Sequence, residues 1–179
     1  MDVFHISFLF RLIILGEGSY IIREKLLGKN FSSNYPLKIG ADFVLKEMKI
    51  KDHTIKFQFW DLTPLPKFEK IRSVYFYCAM GIIIFYNKSD KESFKRIHYY
   101  LKEFKNHNGK GIELFAKDQL NIIGIIDNDL DINISTNEGE SLAQSLGMKY
   151  YEMKNTYREK INNILFKIGK SYLDQIFQF

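Results

Sequence analysis

At 179 residues the chain has the size of one ordinary domain, large enough to bury a full core, and its 46% hydrophobic and 26% charged residues are those of a globular protein. A formal net charge of +5 raises nucleic acid or an acidic membrane surface as partners. Lysines alternate with acids, however, as in Lys46-Glu47-Met48-Lys49 and Lys102-Glu103-Phe104-Lys105, so no basic arm forms and no nucleic-acid partner is expected. The single cysteine, Cys78, excludes an internal disulfide, and the scattered His5, His53, His98 and His107 give no metal-binding spacing.

The apolar N-terminal stretch over 3–15 contains Arg11, lacks a basic start and a small-residue cleavage site, and is too short to span a bilayer, so residues 6–15 read as a long first strand. A short helix over 20–28, ending at Gly28, is expected next. A hairpin with arms at 41–50 and 54–60 follows, with Lys51-Asp52-His53 as the turn and with Phe43, Leu45, Met48 and Ile50 marking extended structure. Pro64 and Pro66 break the chain before a helix over 67–77, and residues 81–86 form an apolar central strand.

Ser89-Asp90-Lys91-Glu92 reads as a capping box that starts a helix running to about 105. Residues 106–117, with Asn108, Gly109 and Gly111, read as a surface loop. A strand over 121–126, a helix over 136–146 closed by Gly147, and a strand over 148–152 complete the alternation. In the last helix Ile161, Ile164, Leu165, Ile168, Tyr172 and Ile176 recur at helical spacing, a stripe suited to docking on a sheet. Strand and helix signals in alternation predict an α/β sheet with helices on both faces.

The first strand runs straight into Gly16-Glu17-Gly18-Ser19-Tyr20-Ile21-Ile22-Arg23, where a phosphate-binding loop would require G-x-x-x-x-G-K-[ST]. Gly16 fits. The second motif glycine falls on Ile21, the lysine on Ile22 and the magnesium-binding hydroxyl on Arg23. Tyr35-Pro36-Leu37-Lys38-Ile39-Gly40-Ala41-Asp42-Phe43, then Phe57-Gln58-Phe59-Trp60-Asp61, then the run from Ser73 to Tyr86 and Ser89-Asp90-Lys91-Glu92-Ser93-Phe94 follow in order. Together these segments resemble the Rab branch of the Ras-like small GTPases from about residue 10 to the last helix, as one domain over 1–179. The resemblance implies a three-layer P-loop NTPase-like α/β fold with a mostly parallel six-stranded sheet, one antiparallel strand and about five helices.

It also implies which residues would handle nucleotide. The switch threonine falls on Lys38, and the Asp-Thr-Ala-Gly-Gln segment reads Asp61-Leu62-Thr63-Pro64-Leu65. Pro64 has no N–H to offer a γ-phosphate, and Leu65 cannot orient water. The guanine-reading Asn-Lys-x-Asp falls on Ile125-Ile126-Asp127-Asn128, with only the acid rescued by a shift to Asp129, and the Ser-Ala-Lys loop is Lys154-Asn155-Thr156. Gly16, Gly18, Ile22, Arg23, Phe31, Lys38, Asp61 and Asn128 are thus vestigial positions at which no cofactor, no metal and no GTP hydrolysis is expected. The alternative is that Arg23 or Lys38 grips the phosphates of GTP or GDP without a normal magnesium site. Without a metal, Asp61 is expected to pair with Arg23 or Lys38.

The effector surface is better kept. Ile39-Gly40-Ala41-Asp42-Phe43 is similar to the Rab Ile-Gly-Val-Asp-Phe, and Phe43, Trp60 and Tyr75 match the aromatic triad on which effectors pack. The competing reading makes these aromatics core residues. The resemblance therefore leads to a pseudo-GTPase that binds protein partners through Ile39, Phe43, Trp60 and Tyr75 as a constitutive subunit of a cytoplasmic trafficking, ciliary or cytoskeletal assembly. The sequence shows no C-terminal cysteine for a prenyl anchor, so no direct membrane anchor is expected. The alternative function is an atypical GTP-binding regulator of membrane or ciliary trafficking.

Overall fold

The computed structural model describes residues 6–19, 40–127, 131–154 and 158–177. Six strands, β1 (Ser7–Gly16), β2 (Ala41–Ile50), β3 (His53–Leu62), β4 (Gly81–Asn87), β5 (Leu120–Ile126) and β6 (Lys149–Lys154), lie in one sheet in the order β2-β3-β1-β4-β5-β6. Only β2 is antiparallel to its neighbour. Among the described residues the α-helices are α1 (Glu69–Tyr77), α2 (Lys91–His107), α3 (Thr136–Leu146) and α4 (Arg158–Phe177). This is the mixed sheet expected of the P-loop small-GTPase arrangement. The helix expected over 20–28 lies outside the described residues.

The apolar strands are buried on both faces because helices cover both. Leu12, Ile14, Phe57, Phe59, Phe85, Ile123 and Ile125 pack toward Ile161, Ile164, Leu165 and Ile168 of α4. The opposite face, with Ile13, Leu15, Ile82, Ile84, Tyr86 and Ile122, meets Phe76 of α1, Ile97 and Phe104 of α2, and Ala143 of α3. The period of two along a strand sends neighbouring residues to these separate layers. Tyr172 packs against the first layer, whereas Ile176 is 41% exposed and Leu173 is buried in its place.

Several local expectations change. Ile50 pairs with His53, so the hairpin turns on Lys51-Asp52 alone, with Lys51 at a left-handed φ of 53°, and His53 belongs to β3. Phe43 and Leu45 lie on the outward face of β2 while Ile50 lies inward. The cap of α2 is Asp90, whose carboxylate accepts from the Glu92 N–H at 2.9 Å, because Ser89 instead donates to Asn87 Oδ1 at 2.8 Å. The segment over 106–117 is only partly a surface loop: α2 continues to His107, and buried Asn108 donates to the carbonyls of Phe76 and Ala79 at 2.9 and 3.3 Å. Among the described residues no helix is long and apolar enough to cross a membrane.

Candidate functional site

The C-terminal ends of the parallel strands form the edge where an open α/β sheet receives ligands. β1 ends at Gly16, which has a φ of 101° and pairs with Phe85 of β4 so closely that a Cβ would lie 2.2 Å from the Phe85 carbonyl oxygen. Gly18 also has a φ of 101°. Between them, Glu17 turns toward α2, where Arg96 Nη2 reaches its carboxylate at 2.5 Å and Asp90 at 3.4 Å. Ile22, Arg23, Phe31, Lys38, Ile39 and Asn128 lie outside the described residues, and so does the expected pairing of Asp61 with Arg23 or Lys38.

Asp61 is 3% exposed near the end of β3, opposite Asp42 of β2. The chain then passes through Thr63, Pro64 and Leu65, and its backbone is held from below. Arg72 of α1 donates from Nη1 to the carbonyls of Thr63 and Leu65, both at 2.9 Å. The same guanidinium meets Glu103 of α2 through Nε at 3.0 and 3.2 Å and through Nη2 at 3.1 Å. Burial pushes the Glu103 carboxyl above its usual range, against the pull of Arg72. The sequence does carry a signal for this pair: Arg72 precedes buried Phe76 by one helical turn and Glu103 follows buried Tyr100 by three residues, which puts two charges on apolar faces.

At the other end of the edge, Ile125 is 2% exposed in the core layer under α4, and Asp127 accepts from Asn87 Nδ2 at 2.8 Å. Glu17, Gly18, Asn87, Ile125 and Asp127 line a small cleft. Beside it, Lys88 is almost fully buried, with its ammonium on Glu152 and 3.3 Å from Thr136 Oγ1. The Tyr150 hydroxyl donates to Glu152 at 2.6 Å and lies 2.8 Å from the Tyr86 hydroxyl. Burial pushes the Tyr86 hydroxyl up to about 12 and raises that of Tyr150 too. Burial also acts to raise Glu152, but hydrogen bonds from Lys88, Tyr150 and Thr136 outweigh it and bring this carboxyl below its usual value. This network ties β4, β6 and α3 together around the cleft. Among the described residues no group of three or more His, Cys, Asp or Glu side chains could hold a metal.

On the outer face of the hairpin, Trp60 sits between Phe43, at a ring separation of 5.4 Å, and Tyr75 of α1, at 4.6 Å. Phe43 is 50% exposed, and Leu45 beside it is exposed as well. Trp60 and Tyr75 are half-buried, packed at the margin of the core layer. The three rings form one partly covered aromatic patch.

The Ras family model matches residues 11–174, nearly the whole chain. The chain belongs to the Ras family. It is 25% identical over 172 residues to Ras-related protein RABE1e of Arabidopsis thaliana, covering 92% of this chain and 75% of that protein. It is 26% identical over 164 residues to Ras-related protein SEC4 of Saccharomyces cerevisiae, covering 90% and 72%. With Ras-related protein Rab-13 of Rattus norvegicus it shares 29% identity over 147 residues, covering 80% and 70%.

Proposed function

We propose that this Ras-family chain is a Rab-like protein-binding module that holds partners without a GTP cycle, as a constitutive subunit of a larger trafficking, ciliary or cytoskeletal assembly. The carrying observation is the Phe43–Trp60–Tyr75 patch, in which three rings lie tilted against one another, with Phe43 exposed and Trp60 and Tyr75 half-buried. A nucleotide cycle lacks support at the strand ends. Ile125 gives the cleft an apolar wall that is 2% exposed, Pro64 has no N–H, and Leu65 carries no group to orient water. Ile22, Arg23 and Lys38 replace the lysine and both magnesium hydroxyls in sequence.

The relatives favour a second reading, since all of the proteins just compared carry Ras-related names. In that reading the chain is a trafficking regulator that binds GTP or GDP through Arg23 or Lys38 without a normal magnesium site. Denaturing the purified chain and chromatographing the released small molecules separates the two. Absence of guanine nucleotide supports the cycle-free module, and stoichiometric GTP or GDP overturns it. Copurification with mass spectrometry names the assembly.

A further inference from the structure

Packing undoes the charge balance that the sequence of α2 displays. In Lys102-Glu103-Phe104-Lys105 the acid stands among lysines, but Glu103 turns inward onto Arg72, with 3% of its side chain exposed, and leaves both lysines on the outer face. Lys91, Lys95, His98, Lys102 and Lys105 then follow at intervals of three or four residues, all exposed, so they form a single row along the helix. The row is about 21 Å long at about 1.5 Å per residue. Lys110 is exposed in the turn just beyond. Neighbouring acids offset part of this charge: Glu92 pairs with Lys95 at 2.7 Å, Glu138, held by Ser135 at 2.7 Å, also feels Lys91, and Glu69 accepts from the Tyr99 hydroxyl at 3.4 Å, so His98's neighbours Lys102 and Lys105 are the least offset part of the row.

We propose that this outer face of α2 docks the protein on a bilayer surface rich in anionic lipid headgroups. The row consists of lysines rather than arginines, and hydrated, flexible ammonium groups suit a diffuse layer of headgroups better than a fixed bidentate partner. It lies on the convex outside of one helix rather than in a groove that could seat a peptide. Tyrosines flank it on the side of α1: Tyr99 is 44% exposed, and Tyr77, 69% exposed, has its ring against Gly109 at the end of α2. Tyrosine is a residue of the headgroup level of a membrane. The excess of positive charge over the chain adds long-range attraction to such a surface. This contact is peripheral, and it stands independently of nucleotide binding and of the aromatic patch.

The test is flotation of the purified chain with vesicles of phosphatidylcholine alone, or with phosphatidylserine added, over a series of salt concentrations. Binding to the anionic vesicles only, falling as salt rises, is expected. Lys95→Glu/Lys102→Glu/Lys105→Glu should lower partitioning by at least about a hundredfold, because each lysine lost near an anionic surface costs about fivefold and each glutamate gained adds repulsion. Lys149→Glu/Lys167→Glu/Lys170→Glu, which changes net charge equally on β6 and α4, should cost less than about threefold, as those groups lie away from the row. The three α2 lysines changed to glutamine provide a milder version should charge reversal disturb folding, which circular dichroism reports. Equal losses in the two triple variants would overturn the proposal, as would indifference to phosphatidylserine. Retention on immobilised polyglutamate without vesicle binding would overturn it as well and assign the face to an acidic protein segment.

Discussion

Arg72 and Glu103, thirty-one residues apart, form a bidentate ion pair between α1 and α2, with side chains 0% and 3% exposed. Because the same guanidinium also holds the carbonyls of Thr63 and Leu65, the segment after β3 is fastened to α2 through Arg72. In a switching GTPase that segment is ordered by γ-phosphate contacts. Here an internal cation also holds it.

Arg72→Met should destabilise the fold by about 3–5 kcal/mol, because it leaves a buried carboxylate and two backbone acceptors without their donor. Arg72→Met/Glu103→Leu should be less damaging than the sum of the single changes, since it removes the stranded charge along with its partner. Urea denaturation of the four proteins measures this. Strict additivity would mean that the two groups are not coupled.

The two perturbed carboxyls give opposite pH responses. Glu103 is raised, so the folded state takes up its proton first and gains stability as pH falls from neutrality toward the ordinary carboxylate range, a contribution lost as pH rises through the folded value. Glu152 is lowered from 4.5, so its contribution is present above that value and is lost as pH falls through its folded value. Glu152→Gln should therefore flatten the acid limb of a stability–pH profile, and Glu103→Gln should remove the gain just above it. Identical profiles for both variants would contradict these assignments.

The sheet was legible because β4 is an apolar run up to Tyr86 and β5 is one interrupted only by Asn121 and Gly124, and because Gly147 closes α3 in the left-handed region, with a φ of 71°. Register was harder. A turn of three residues would shift the hairpin, whereas pairing Ile50 with His53 sets Phe43 opposite Trp60 and so assembles the aromatic patch. Two S-x-x-E segments occur, and only Ser135 with Glu138 forms a capping box, because Asn87 draws the Ser89 hydroxyl away and leaves Asp90 to cap α2. The Arg72–Glu103 pair and the lysine row both depend on which face of α2 turns inward. The local mixture of charges in Lys102-Glu103-Phe104-Lys105 conceals that sorting.

Gly16 has a structural requirement that is separate from any phosphate. Gly16→Ala would place a Cβ 2.2 Å from the Phe85 carbonyl oxygen at a φ of 101°, so both strain and a backbone clash oppose it. A loss of about 3 kcal/mol or more is expected from the two costs together. Gly147→Ala, at a φ of 71° with no atom within 4 Å of the new Cβ, should cost only about 1–2 kcal/mol. Thermal unfolding of the two variants checks the difference, and equal losses would show that the β1–β4 contact yields easily.

The aromatic patch should bind its partner in the same way whatever nucleotide is present. Trp60 touches both Phe43 and Tyr75, so its removal opens the centre of the patch, whereas Leu45 lies farther out on the exposed face of β2. Trp60→Ala should weaken partner association by about 2 kcal/mol or more, and Leu45→Ala by well under 1 kcal/mol, as expected of a hot spot and its rim. Because Trp60 is half-buried, each variant's stability must be measured alongside its affinity, and the loss of binding should exceed any loss of folded protein. Adding GTP, GDP or a magnesium chelator should leave the affinity unchanged. A nucleotide-dependent affinity would restore a switch to this face, and binding that survives loss of all three rings would place the partner elsewhere on the molecule.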